Sequence, residues 1–186
     1  MSLRVSFELE ESDLEHFRLI MRSARKAAAC LSPEDIVAAA ESLLHAVEAA
    51  HAPAFIQERL TKLQLMINML TDIEWRLPHQ DANRVLNALA YFSEAEDLIP
   101  DNVPGLGFLD DAIMIELVTR ELKHEIEAYE DFNAYRKRMR EQHGPGTGVS
   151  RESWLDSRRK ELQSRMHRRR KRRSKAGKKP RLGLFG

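Results

Sequence analysis

The sequence predicts an all-α protein: a helical bundle of about five helices, followed by a basic C-terminal extension. Three observations carry this prediction. Apolar residues recur at three- and four-residue intervals along most of the first 142 residues. Helix-start signals such as Ser32-Pro-Glu-Asp35 precede those patterns, and Pro or Gly closes them. Ala is frequent while Phe, Trp and Tyr make up 6% of the chain, a balance that favours helix over sheet.

The one departure from helical periodicity is at the start. Leu3, Val5, Phe7 and Leu9 alternate with Arg4, Ser6, Glu8 and Glu10, which makes this segment a strand candidate. Ser12-Asp-Leu-Glu15 then reads as a capping box for a first helix to about Ala29. Leu14, Phe17, Ile20 or Met21, and Ala24 or Ala28 supply its inner face, and Arg18, Arg22, Arg25 and Lys26 a solvated outer one. Ser32 caps a second helix, with Pro33 in its first turn, to about Ala50. Pro53 opens a third, in which Ile56, Leu60, Leu63, Ile67 and Leu70 form a seam; Pro78 stops it at Leu77. A fourth covers about Asp81 to Ser93, with Val85, Leu86, Leu89 and Phe92 inward. A long helix is predicted from near Leu109 to about Gln142, with Ile113, Leu117, Val118, Leu122, Ile126, Tyr129 and Phe132 along one face. Its last turns, Arg136-Lys-Arg-Met-Arg140, suit a helix C-terminus.

Charge divides the chain. Residues 151–186 hold 15 Lys and Arg against 3 Asp and Glu, a net +12; of the chain's 30 basic and 29 acidic residues this leaves 15 and 26, a net −11, for residues 1–150. The predicted organisation is therefore an acidic helical domain over 1–143, a Gly/Pro linker over 144–149, and a basic arm over 150–186. Ser150 can cap a helix through about His167, with Trp154, Leu155, Leu162 and Met166 as a narrow apolar stripe. From Arg168 onward the self-repulsion of Arg168-Arg-Arg-Lys-Arg-Arg173 predicts disorder. No run approaches the roughly 18–20 apolar residues of a membrane span, and Met1 to Glu10 lacks the continuous apolar core of a secretory signal, so a cytoplasmic location is expected.

The fourth and long helices are joined by Asp97-Leu-Ile-Pro-Asp-Asn-Val-Pro-Gly-Leu-Gly-Phe-Leu-Asp-Asp111. Pro100 and Pro104 disfavour helix at the residues before them, and Gly105 and Gly107 permit positive φ. Leu98, Ile99, Val103, Leu106, Phe108 and Leu109 are expected to pin the segment to the core, while Asp110 and Asp111 sit in the first turn of the long helix, where carboxylates are favoured. The stretch D-L-I-P-D-x-V-P-G-L-G-F-L-D-D resembles the signature of the YkvA-like family, D-L-I-P-D-x-I-P-x-L-G-x-L-D-D. The resemblance spans about Arg84 to Leu122; in place of that family's S-P-x-D lead-in this chain has Glu94-Ala-Glu-Asp97. It implies a small α-helical bacterial domain and carries no activity with it.

Four carboxylates in this stretch, Asp97, Asp101, Asp110 and Asp111, are the candidate divalent-cation ligands. Their spacing is not that of an EF-hand loop, and capping and turn roles account for each, so a metal site ranks below a structural one. Glu121, His124 and Glu127 share one helix face, but a carboxylate-bridged metal bundle needs a second such set, and a surface ion pair is expected instead. Cys30, the single cysteine, is expected to be a small buried apolar residue. Gly105-Leu-Gly107 lacks the further glycines and Lys of a phosphate loop. No catalytic residue and no cofactor is assigned.

The arm carries the strongest functional signal. Arg158, Arg159, Lys160, Arg165, Arg168, Arg169, Arg170, Lys171, Arg172, Arg173, Lys175, Lys178, Lys179 and Arg181 are candidate phosphate-binding residues, with Trp154 and Phe185 as candidate stacking residues. The expectation is a non-enzymatic protein associated with nucleic acid, RNA or ribosome before DNA, whose acidic body offers a protein-interaction or regulatory surface. Ranked behind it are contact between the arm and the acidic body, a peripheral adaptor on anionic membrane, and a divalent-metal-dependent enzyme at the Asp-rich stretch.

Overall fold

The computed structural model describes residues 8–93, 98–99, 103, 106–144 and 149–177. Among them are seven α-helices, two short 3-10 turns and no strand. The strand candidate at Leu3, Val5 and Phe7 lies outside the described residues; Leu9 is not in a strand. The chain forms two compact units. The first comprises Met1–Leu70 and Pro78–Glu121, the second Thr71–Leu77 and Leu122–Gly186.

The first unit begins with α1 (Glu11–Ala27). Its start is set by Glu10 rather than by Ser12: the Glu10 N–H donates to Asp13 Oδ2 at 2.9 Å. The Glu10 side chain in turn accepts from the Asp13 N–H, so the reciprocal pair forms two residues earlier than Ser12-Asp-Leu-Glu15 predicts. A 3-10 turn, Ala28–Cys30, follows and leaves Cys30 exposed, against expectation; the helix has tightened by then, and the face that buries Ala28 no longer includes Cys30. Ser32 caps α2 (Pro33–Ala49) as its sequence predicts, accepting from the Asp35 N–H at 3.1 Å. In α3 (Ala54–Thr71), Ile56, Leu60, Leu63 and Ile67 are buried, as the seam requires, while Leu70 at its end is half-buried. The fourth helix, α4 (His79–Leu89), runs into the 3-10 turn Ala90–Ser93, and α5 spans Leu109–Glu121. Arg25, expected in a solvated stripe, binds α4 and α5 to α1: its Nε donates to the Asn87 carbonyl at 2.9 Å and its Nη2 to Glu121 at 2.7 Å.

Neither the third helix nor the long helix runs to its expected length. The third helix stops at Thr71, six residues before Leu77, because Asp72 takes over the backbone: its Oδ1 accepts from the Glu74 N–H at 2.8 Å and the Trp75 N–H at 3.1 Å. Such a side-chain turn competes directly with the helical ladder. Arg76 then adopts φ 48°, turning the chain before Pro78. The long helix is also two helices. Leu122, at φ −93° and ψ 16°, leaves the helical region between α5 and α6 (Lys123–His143), although neither Pro nor Gly is present to announce the break.

The second unit is a helical hairpin. Gly144, at φ 70°, ends α6 in a conformation open to glycine, and α7 (Val149–Gly177) follows. This helix runs through Gly177 instead of stopping near His167. Trp75, from the 71–77 turn, is fully buried, with ring centroids 5.7 Å from Tyr129 and 5.1 Å from Phe132. Leu155, Leu162 and Met166 of α7 are buried as well.

Candidate nucleic-acid interface

The basic arm is built around its apolar stripe. At about 100° per residue, Leu155, Arg159, Leu162 and Met166 fall on one face of α7, and all four are buried. The cations beside that face meet acidic partners within the same unit. Arg165 pairs with Asp131, Arg169 with Glu127 at 2.6 Å and Arg170 with Glu125 at 3.0 Å. Moving four residues forward on α7, from Arg165 to Arg169, moves four residues back on α6, from Asp131 to Glu127. This is the register of an antiparallel hairpin. Glu125 is 1% exposed, so its pair with Arg170 is buried on the carboxylate side only.

At the other end of the hairpin, Glu74 gathers cations. Its carboxylate accepts from Arg136 at 2.8 Å and from Arg151 at 2.7 Å, and its backbone carbonyl from Arg159 at 2.7 Å. Asp72 Oδ2 accepts from the Tyr129 hydroxyl and lies within 2.9 Å of Arg136. Burial alone would raise both carboxylates. For Glu74 the two guanidiniums outweigh it; for Asp72 the hydrogen bonds from the Glu74 N–H and Tyr129, with the charge of Arg136, do so, and both groups stay below the ordinary carboxylate range. The same Asp72 carboxylate pushes the Tyr129 hydroxyl up, in the direction burial already takes it.

The remaining cations point the other way. Arg168, Lys171, Arg172 and Lys175 are exposed and have no acidic partner among the described residues. Their spacing, i, i+3, i+4 and i+7, gathers them within about 100° of arc, centred about 160° from the buried face. Arg158 and Lys160 pair within α7, with Glu161 and Asp156, both at 2.7 Å. Arg173 is exposed. Lys178, Lys179, Arg181 and Phe185 lie outside the described residues. The arm thus contains two sets of cations that composition alone does not separate: an inner set held by carboxylates of α6 and the 71–77 turn, and an outer stripe.

Trp154, the other candidate stacking residue, is half-buried at the start of α7, its ring 4.8 Å from that of His143 and tilted by 44°. A small cleft opens there, lined by Arg136, Met139, Arg140, Arg151, Trp154 and Leu155. Arg140 is marked in the sequence only as a helix-end charge, and no sequence pattern marks His143. The available signal was the glycine immediately after them, which ends α6 and brings its last turn to the first turn of α7.

In the first unit, Asp110 is a structural pin. Its Oδ2 accepts from the Leu98 N–H at 2.8 Å, the Ile99 N–H at 3.2 Å and the Tyr91 hydroxyl at 3.4 Å, while the residue is 1% exposed. Asp110 Oδ1 has no partner among the described residues. Asp111 is buried in the same turn of α5, and Asp97 and Asp101 lie outside the described residues. Among the described residues no group of three or more His, Cys, Asp or Glu is placed to hold a metal ion. Of the apolar residues expected to pin this stretch, Phe108 is buried but Leu98 and Leu106 are exposed. The backbone explains this: it turns at Phe108, which takes φ 63°, and Gly107 does not adopt positive φ. His124 Nδ1 lies 3.7 Å from Glu127, and its side chain is largely covered rather than at the surface.

Residues 85–117 match the model of a family described as "Protein of unknown function (DUF1232)". The matched segment starts inside α4, crosses the Pro/Gly stretch and ends inside α5, all within the first unit. No curated protein and no solved structure matches the chain.

Proposed function

We propose that the protein is a non-enzymatic, nucleic-acid-associated protein that grips phosphate through the outer face of α7, with RNA or ribosome preferred over DNA. The observation that carries this reading is the stripe Arg168, Lys171, Arg172 and Lys175, four exposed cations on one helix face with no acidic partner among the described residues. A rigid row of this kind holds its charges apart without closing on a carboxylate, and so remains available to phosphate oxygens. Recognition of this type reads charge and backbone rather than bases, so little sequence preference is expected. The YkvA-like resemblance around Asp97–Asp111 belongs to the other unit and to a bacterial setting; that unit, rich in carboxylates, serves in this reading as a protein-interaction or regulatory surface.

Anionic lipid would also attract the stripe. Leu155, Leu162 and Met166 of α7 are buried within the hairpin, however, and so add no insertion energy at a bilayer surface. The test replaces Arg168, Lys171, Arg172 and Lys175 together by Gln and measures retention of single-stranded and duplex RNA, with vesicles containing or lacking anionic lipid alongside. RNA retention that the substitution abolishes supports the reading. Unchanged retention, or binding confined to anionic vesicles, overturns it. Substitution is a cleaner probe than removing residues 151–186, because removal would strip Leu155, Leu162 and Met166 from the hairpin as well.

A further inference from the structure

The cleft at the start of α7 has a chemistry that the outer stripe lacks. It combines three guanidiniums, of Arg136, Arg140 and Arg151, with the indole of Trp154 over an apolar floor of Met139 and Leu155. Arg136 and Arg151 share the carboxylate of Glu74. Arg136 also meets Asp72 and Asn133, so these two guanidiniums are held by the protein. Arg140 is exposed and has no acidic partner among the described residues. The His143 ring packs against the Trp154 ring and braces it. Gly144 borders the cleft, and a Cβ placed there would meet nothing within 4 Å among the described residues. The first turn of α7 presents its positive end at the same place.

We propose that this cleft is a nucleotide subsite for single-stranded RNA, with a base stacked on Trp154 and the adjoining phosphate held by Arg140 and the first turn of α7. The inference rests on the nucleic-acid reading above and deepens it. A simple anion would use Arg140 but not the indole, and an apolar ligand the indole but not Arg140. A nucleotide uses both. A duplex keeps its bases paired and stacked on one another, so only a single strand can offer one. The subsite is also aligned with the stripe: Trp154 precedes Arg172 by about five full helical turns, which returns it to the same azimuth, and it stands about 21 Å along the axis from Arg168. One carboxylate, Glu161, lies on that path, and Arg158 engages it at 2.7 Å.

The experiment titrates the full chain with a labelled single-stranded oligoadenylate and with a duplex RNA of equal length, following label anisotropy and tryptophan emission together. Trp75 is fully buried and provides a constant background. The single strand should quench Trp154 in parallel with its anisotropy change, whereas the duplex should raise anisotropy and leave emission unaltered. Trp154→Ala should weaken single-strand binding about tenfold or more. Trp154→Phe should restore most of it, and Arg140→Gln should weaken it without abolishing quenching. Single-strand binding without any change in Trp154 emission, or equal binding by Trp154→Ala, overturns the subsite and leaves the stripe standing. Absence of an anisotropy change with either RNA overturns both.

Discussion

Asp72 shows how much one side chain decides. Its carboxylate ends α3 by accepting two backbone N–H groups, and the same group meets Tyr129 and Arg136. A carboxylate held below its ordinary pKa contributes stability that is complete above its unfolded value and is lost as pH falls through the folded one. Asp72 and Glu74 are both lowered. Stability against urea should therefore be flat above about pH 4.5 and decline below it, and Asp72→Asn should remove much of that decline. A variant with the wild-type acid profile would show that the Asp72 contacts contribute nothing. Asp110 makes a second prediction. Asp110→Ala leaves the Leu98 and Ile99 N–H groups without their acceptor and should cost about 2–3 kcal/mol in chemical unfolding. Sequence legibility at this scale follows contact distance. Ser32 could be assigned as a cap because its partner Asp35 is three residues away. Asp72 could not, because Tyr129 and Arg136 reach it only after the chain has folded back. Phe108 held no sign of its positive φ, since aromatic residues rarely adopt one and two glycines stood nearby.

Among the elements, α7 departs most from expectation. Its first half was legible from the stripe of Leu155, Leu162 and Met166, all three buried as a helical period requires, although the helix begins at Val149, so Ser150 lies inside it rather than capping it. Its second half was not, because a run of Arg and Lys predicts repulsion when taken alone. Arg and Lys are good helix formers, and Glu125, Glu127 and Asp131 of α6 lie within reach of this run. Exposed pairs contribute only about 0.2–1 kcal/mol each, so the apolar stripe rather than the ion pairs carries most of the docking. Leu162→Ala, at a fully buried position, should therefore destabilise the hairpin by about 2–4 kcal/mol. Arg169→Gln should cost less than about 1 kcal/mol, and thermal unfolding of the two variants compares them directly. The break at Leu122 was illegible for a different reason. The apolar face runs on through Val118, Leu122 and Ile126, all buried, and periodicity registers a face but not a one-residue deviation along it.

For the whole molecule, the units sort charge more sharply than net charge suggests. The second unit, residues 71–77 and 122–186, holds 21 Lys and Arg against 10 Asp and Glu, a net +11. The first is left with 9 and 19, a net −10, beneath an overall +1. The sequence showed the basic arm but not which cations would be spent within its own unit, since that depends on which of them turn toward α6. The central claim is that four of them do not, and it is tested most directly by the salt dependence of RNA binding. Each phosphate neutralised on a single strand contributes about −0.7 to the slope of log K against log salt concentration. Replacing Arg168, Lys171, Arg172 and Lys175 by Gln should flatten that slope by about 3, whereas replacing Arg165 and Arg169 should change it by less than about 1. Equal flattening by the two sets, or a slope that neither alters, would contradict the account.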